Sequence, residues 1–238
     1  MMFQGKWLFA TLFVLVGTVV CARLGIWQLD RLDQRRVFNA HYEEVVSLEP
    51  LALDATFNGD LTAMEYRRVS VTGEYDFSNQ IAIRNQYHGD VYGYHVLTPL
   101  ILADGTAILI DRGWIPPNDD RSAWSEYDQF GSIAISGIIR LSRSEADFGG
   151  LSDPPLKESE ARSVWNQPNI PEISKQIAYE IKPVYVQLDP EPARETPPFP
   201  YQPDVEITEG PHMGYALQWF TFAILLFGGY PFFLKKQV

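Results

Sequence analysis

Two uncharged hydrophobic stretches bracket this chain, residues 7–22 and 213–234, and nearly everything between them is acidic and polar. The second stretch runs 22 residues without a charge and stops at Lys235-Lys236. At about 1.5 Å of rise per residue it crosses a bilayer core of roughly 30 Å as a helix. The first stretch has 16 such residues and reaches spanning length once Arg23 snorkels and residues 24–27 continue the helix. All 30 acidic residues, but only 15 of the 19 basic ones, lie between Leu24 and Pro211. That segment therefore carries −15 and the flanks +4. The pattern is that of a membrane protein holding up one extramembrane domain.

The charge excludes some classes of partner. A domain this acidic has nothing to neutralise nucleic-acid phosphates, and it offers no basic patch to anionic lipid. The single cysteine, Cys21, lies in the first stretch, so the domain has no disulfide and no thiolate metal site. No A-x-A-like cleavage site follows the first stretch, which reads as a signal anchor rather than a cleaved signal peptide. No Arg- and Ser-rich leader precedes it, which points to a bacterial inner membrane. Lys6 before the first span and Lys235-Lys236 after the second place both termini in the cytoplasm and the domain in the periplasm. Arg23, Arg31, Arg35 and Arg36 oppose that orientation, but long domains translocate largely regardless of charge.

Along the chain, residues 24–46 continue the first helix, with Trp27, Arg31 and Arg35 on one face. Alternating, β-branched runs at residues 68–75, 80–84, 95–98, 107–110 and 132–139 read as strands. His88-Gly-Asp90, Ala103-Asp-Gly105 and Pro116-Pro-Asn118 punctuate them, and Asp104-Gly105 is a hairpin signal. Residues 170–181 read as a short helix stopped by Pro183, and residues 184–188 as a last strand. Seven prolines in residues 190–211 make a stiff, extended strap. The expected organisation is a cytoplasmic N-terminus (1–6), a transmembrane helix (7–27), a juxtamembrane helical segment (28–60), a β-rich domain (61–189), the strap (190–211), a second transmembrane helix (212–234) and a cytoplasmic tail (235–238). The fold class is two transmembrane α-helices flanking a mainly antiparallel β (α+β) periplasmic domain.

No hydrolase, kinase, zincin or dinucleotide motif is present. Among four histidines, His41 reads as exposed, His88 as a polar turn residue and His95 as a hydrogen-bonded core residue. His212 stands where the strap enters the membrane, above a helical stripe of Tyr215, Trp219 and Phe222. Gln218 is a polar residue within the span, of the kind that faces a partner. The stripe has two readings: an interfacial aromatic belt, or a histidine offered to a metal or tetrapyrrole. Arg31, Arg67, Arg68, Arg84 and Arg112 have the fork geometry for propionates or phosphates, or they form structural ion pairs.

The motifs Leu24-Gly-Ile-Trp-Gln-Leu-Asp-Arg31, Tyr66-Arg67, Gly73-Glu-Tyr75, Gly93-Tyr-His-Val-Leu-Thr-Pro99, Asp111-Arg-Gly-Trp-Ile-Pro116 and His212-Met-Gly-Tyr-Ala-Leu-Gln-Trp-Phe220 resemble, in order, those of the surfeit locus protein 1 family. Arginine stands at position 35 where that family often has lysine, and Met213 where leucine is usual. The resemblance implies an assembly factor for haem-copper cytochrome c oxidase, not an enzyme. It would bind haem a as transient cargo and assist its insertion into subunit I, with haem a synthase as a further partner. It implies His212 as axial ligand to the haem iron, with Tyr215 and Trp219 against the ring. Arg31, Arg67 and Arg112 are then candidates for propionate or partner contacts. The alternative is a scaffold that stabilises oxidase intermediates without touching haem.

Overall fold

The computed structural model describes residues 5–54, 57–118, 120–146, 149–158 and 160–237. They form two units. The chain's two ends, up to Glu43 and from Val205, make one; Glu44–Asp204 make the other.

The first unit is a helix pair. Helix α1 (Gly5–Ser47) is unbroken for 43 residues and stops before Pro50; α3 (His212–Gln237), so numbered after a short α2 in the other unit, has 26. Both are long and apolar enough to cross a membrane by length and composition. Their large apolar side chains, Phe9, Phe13, Leu217 and Ile224 among them, point outward. The faces that meet follow a three-four spacing: Thr11, Val14, Thr18, Cys21, Gly25, Gln28 and Leu32 on α1, and His212, Ala216, Trp219, Ala223, Leu226 and Tyr230 on α3. Small residues on such a seam let helix backbones approach closely. A Cβ at Gly25 would lie 2.7 Å from the Phe220 ring. Thr11 Oγ1 meets the Tyr230 hydroxyl at 2.8 Å, and Trp7 lies edge-on to Phe233. Thr18 and Thr221 return their hydroxyls to carbonyls one turn back, so both are satisfied within their own helix.

The second unit is a sheet of β1 (Leu51–Leu53), β2 (Arg68–Tyr75), β3 (Ile81–His88), β4 (Val91–Ile101), β5 (Ala107–Ile115), β6 (Ser132–Leu141), β7 (Val164–Trp165) and β8 (Ile181–Leu188), with α2 (Ile170–Ile173) before β8. The order is β1-β2-β6-β8-β5-β4-β3-β7, and a β2–β4 pairing through Glu74 and Tyr75 closes five strands into a barrel. Val69, Val71, Leu100, Ile108, Ile110, Ile139, Val184 and Val186 fill its interior. Ile81, Ile83, Leu97, Leu109, Trp165, Ile170 and Ile173 form a second apolar layer. Strand β5 is buried along its whole length, so it has no solvent face, and its apolar run is broken only at Asp111-Arg112-Gly113.

The expected strands all form; β2 has the expected bounds, and the others are longer than the runs that signalled them. Three pairings are parallel (β1–β2, β3–β7 and β5–β8), so the sheet is mixed within a mainly antiparallel plan. The expected helix at 170–181 is only Ile170–Ile173 plus a 3-10 turn, Ser174–Gln176. Pro183 does not stop it; Pro183 lies inside β8, where the β5 register shifts and the β6 pairing has not yet begun. A strand tolerates proline where no ladder N–H is required.

One irregularity organises the barrel wall. In β5, Asp111 pairs with Leu97 and Gly113 with Val96, leaving Arg112 as the extra residue of a bulge. Gly113 sits at φ +109°, and a Cβ there would meet the Phe199 carbonyl oxygen at 2.1 Å, so only glycine fits. Asp111 Oδ1 accepts from Gly113 N–H at 3.0 Å and Oδ2 meets His95 Nδ1 at 2.9 Å. Burial lowers the pKa of His95, but the Asp111 charge and hydrogen bond outweigh it and leave the group raised. A raised folded-state pKa makes the pair fully stabilising below the unfolded value near 6.5, and that stability is lost as pH rises through the folded value. The unfolding midpoint should therefore fall further between about pH 6 and about pH 8.5 in the wild type than in His95→Gln. Equal falls in the two proteins would remove this pair from the stability of the domain.

Candidate functional site

His212 is the first residue of α3, and its ring is only partly exposed. Its Nδ1 donates to Gln28 Oε1 at 2.7 Å. Gln28 is 8% exposed, on the seam of α1. With Nδ1 occupied, Nε2 is the ring's remaining polar atom, and the bond to Gln28 sets both tautomer and orientation. Gly210 stands beside that atom at φ +65°, and a Cβ there would lie 3.4 Å from both Cδ2 and Nε2. Glycine thus serves the left-handed turn and keeps the Nε2 edge clear.

The segment entering α3 is tied to α1 by two arginines. Arg35 donates from Nε to the Thr208 carbonyl (3.1 Å) and from Nη2 to the Glu206 carbonyl (2.6 Å). Arg36 forks onto Glu209 at 2.7 and 3.0 Å. The second pair is half-exposed, and such pairs contribute little energy. The carbonyl bonds of Arg35 fix the backbone itself, which a lysine's point charge would hold less directionally.

An imidazole fixed through Nδ1, with an open Nε2, is how proteins present histidine to a metal. Tyr215 is 49% exposed on α3, and its backbone N–H caps onto the Pro211 carbonyl. Trp219 is partly buried on the seam and meets Phe222 edge-on at 5.9 Å. Gln218, read as a polar residue of the kind that faces a partner, points outward from the pair, because the seam passes through Ala216 and Trp219. Gln28 instead makes a polar contact between the helices, as Thr11 does with Tyr230. Sequence reasoning gave it no role, although the three-four spacing of Cys21, Gly25, Gln28 and Leu32 places it on the seam.

The arginines divide. Arg31 is exposed and bonded to Gln34. Arg67 is partly buried, with an Nη1 that has no hydrogen-bond partner among the described residues. Arg112 is not available for a propionate or a partner. It is 2% exposed, lies over the Tyr75 and Phe77 rings at 5.1 and 5.0 Å, and donates to Gln80 Oε1 and the Tyr127 carbonyl. The β5 bulge turns it into the domain's own packing. His41 is exposed, His88 stacks on Phe199 at 4.7 Å, and His95 is the hydrogen-bonded core residue expected of it.

Residues 15–224 match the model of the SURF1 family. The chain is 28% identical to a SURF1-like protein of Monosiga brevicollis, over 92% of this chain and 85% of that one. It is 26% identical to the surfeit locus protein 1 of Rattus norvegicus, over 87% and 70% of the two chains. The corresponding protein of Arabidopsis thaliana is 22% identical, over 91% and 74%.

The Gln28–His212 bond makes a prediction that needs no ligand. In full-length protein with ¹⁵N-labelled histidine, the His212 ring should be the Nδ1–H tautomer. In Gln28→Leu it should shift to the mixture with Nε2–H that a free imidazole shows. An unchanged tautomer in Gln28→Leu would mean that Gln28 does not set it.

Proposed function

The chain belongs to the SURF1 family, and from that premise we propose that it is an assembly factor for haem-copper cytochrome c oxidase, binding haem a and assisting its insertion into subunit I. The observation that carries the reading is the His212 ring, held at Nδ1 by Gln28 with Nε2 left open beside Gly210. Imidazole nitrogen is a common axial ligand of haem iron. The isoprenoid tail of haem a favours a site at a membrane boundary, where a helix of this composition begins. Tyr215 and Trp219 lie one and two turns along α3 and supply aromatic faces for the macrocycle. No bond is made or broken in this role, so the protein is a carrier rather than an enzyme, with haem a as cargo and haem a synthase as its source.

The two apolar helices are proposed to span the membrane, with both termini on the side that holds Lys6, Lys235 and Lys236. In a bacterium that is the cytoplasmic face of the inner membrane, with the barrel in the periplasm. A cysteine placed by Asp104→Cys at the exposed β4–β5 turn, in a Cys21→Ser background, should react with an impermeant thiol reagent in intact spheroplasts. Labelling only after lysis would reverse the topology.

Haem binding is tested by purifying the full chain after co-expression with a haem a synthase. His212→Ala deletes the axial bond and should lose the pigment while the protein still accumulates in the membrane. His88→Ala and His95→Ala should keep it. Unchanged pigment content and spectrum in His212→Ala would remove this ligand. A colourless wild type would leave the scaffold reading in its place.

A further inference from the structure

The ring on which the proposed function depends belongs to the first residue of a helix, where a helix is least secure. The first backbone N–H groups have no intrahelical carbonyl to bond, so the first turn is prone to fray. Here the chain leading to that turn has little structure of its own. Gln202 is held through its side chain to the Gln187 and Leu188 carbonyls, and the Pro211 carbonyl accepts from Tyr215 N–H. Between those two points no backbone–backbone hydrogen bond forms among the described residues. Residues 206–211 are exposed, and Gly210, at φ +65°, adds a glycine's freedom two residues before the ring. The segment's own backbone therefore does not fix where His212 stands.

One side chain does. Arg35 is partly buried on α1, with its guanidinium 5.6 Å from the centre of the Phe38 ring. It donates from Nε to the Thr208 carbonyl and from Nη2 to the Glu206 carbonyl, at 3.1 and 2.6 Å. Among the described residues, these are the side-chain bonds that reach the backbone of residues 203–210. A planar fork bonded to carbonyls two residues apart fixes the direction of the chain as well as its distance, and charge-assisted bonds are stronger than neutral ones. Gln28, Leu32 and Arg35 follow an i, i+4, i+7 spacing on one face of α1. That face holds the ring through Gln28 and, about 10 Å further along the helix, the chain that delivers the ring.

Arg36 holds the same segment differently. Its fork meets the Glu209 carboxylate, and both side chains are half-exposed, so the pair can turn together without fixing the main chain. Loss of either arginine removes one positive charge. Only loss of Arg35 removes bonds to the backbone.

We propose that Arg35 is a positioning residue for the His212 ring: by clamping the Glu206 and Thr208 carbonyls it keeps the ring on Gln28 with Nε2 presented, and so sets how long haem a stays bound. The consequence for haem rests on the carrier reading of His212; the effect on the ring does not.

Two measurements on the full-length protein in detergent test this. The first needs no haem. With ¹⁵N-labelled histidine, the neutral His212 ring of Arg35→Gln should lose its single Nδ1–H form and show Nε2–H as well. Arg35→Lys keeps a charged donor for the carbonyls and should fall between Arg35→Gln and the wild type. The second follows transfer of haem a to excess apomyoglobin, from protein loaded by co-expression with a haem a synthase. Loss should be about tenfold faster in Arg35→Gln, the scale of one charge-assisted hydrogen bond, with Arg35→Lys again between. Arg36→Gln removes the same charge and should move both readouts less. If Arg35→Gln does not accumulate, Arg35→Lys against the wild type carries both measurements. A wild type without haem would remove the carrier reading and leave the tautomer to decide the role of Arg35. An unchanged His212 tautomer in Arg35→Gln and Arg35→Lys, an unchanged rate of haem loss in Arg35→Gln, or equal effects of Arg35→Gln and Arg36→Gln would overturn the proposal.

Discussion

Strand β5 has no solvent face, and that constraint shapes the whole second unit. It pairs with β4 on one edge and β8 on the other, one face lining the barrel interior and the other packing under an outer layer. A strand buried on both faces cannot carry a charged residue unless each charge finds partners where it stands. This strand carries two in succession, Asp111 and Arg112. The bulge at Arg112 separates them. Asp111 reaches His95 and Gln187, while Arg112 reaches Gln80, the Tyr127 carbonyl and two aromatic faces. Gly113 makes the bulge possible, because its backbone approaches the Phe199 carbonyl too closely for any side chain. Three consecutive residues thus set the curvature of the wall and the polar groups on its two sides.

The helix pair follows the same accounting with different means. For a pair proposed to lie in lipid there is no water to reward apolar contact, so association rests on close packing and a few polar links. Gly25 gives Phe220 the space of a missing side chain, and Ala216 and Ala223 keep the opposite face low. The two side-chain links, Thr11–Tyr230 and Gln28–His212, stand near opposite ends of the seam. They oppose sliding of one helix along the other, because a shift of one turn would break both.

Much of this was legible in the sequence. Long uncharged stretches have one structural solution, and alternating β-branched runs bounded by Asp-Gly or His-Gly turns have few. The six anticipated strands and both long helices stand where expected. The short parallel strands β1 and β7 carry no signal of their own; two or three residues become a strand only because a neighbouring edge is there. Pro183 misled for a related reason. Its meaning depends on which edge of β8 needs a donor, and that is a property of the assembled sheet. The position of His212 at the start of α3 was legible from the sequence, but its bond to Gln28 was not. The two residues lie 184 positions apart, and the seam that joins them appears only when both helix faces are read together.

The two histidines with fixed Nδ1 atoms show how one bond produces different chemistry. His95 meets a carboxylate in a buried setting, and the Asp111 charge favours the protonated ring despite the cost of burial. His212 meets the neutral oxygen of Gln28 at the start of a helix, where the ring is partly open to its surroundings. A carboxylate holds a proton on imidazole, whereas an amide oxygen only orients the ring. An uncharged ring with Nδ1–H bonded outward carries its lone pair on Nε2, the form that ligates a metal. Partner identity therefore separates the two histidines: the first is held by a carboxylate within the barrel wall, the second by an amide oxygen at the start of a helix.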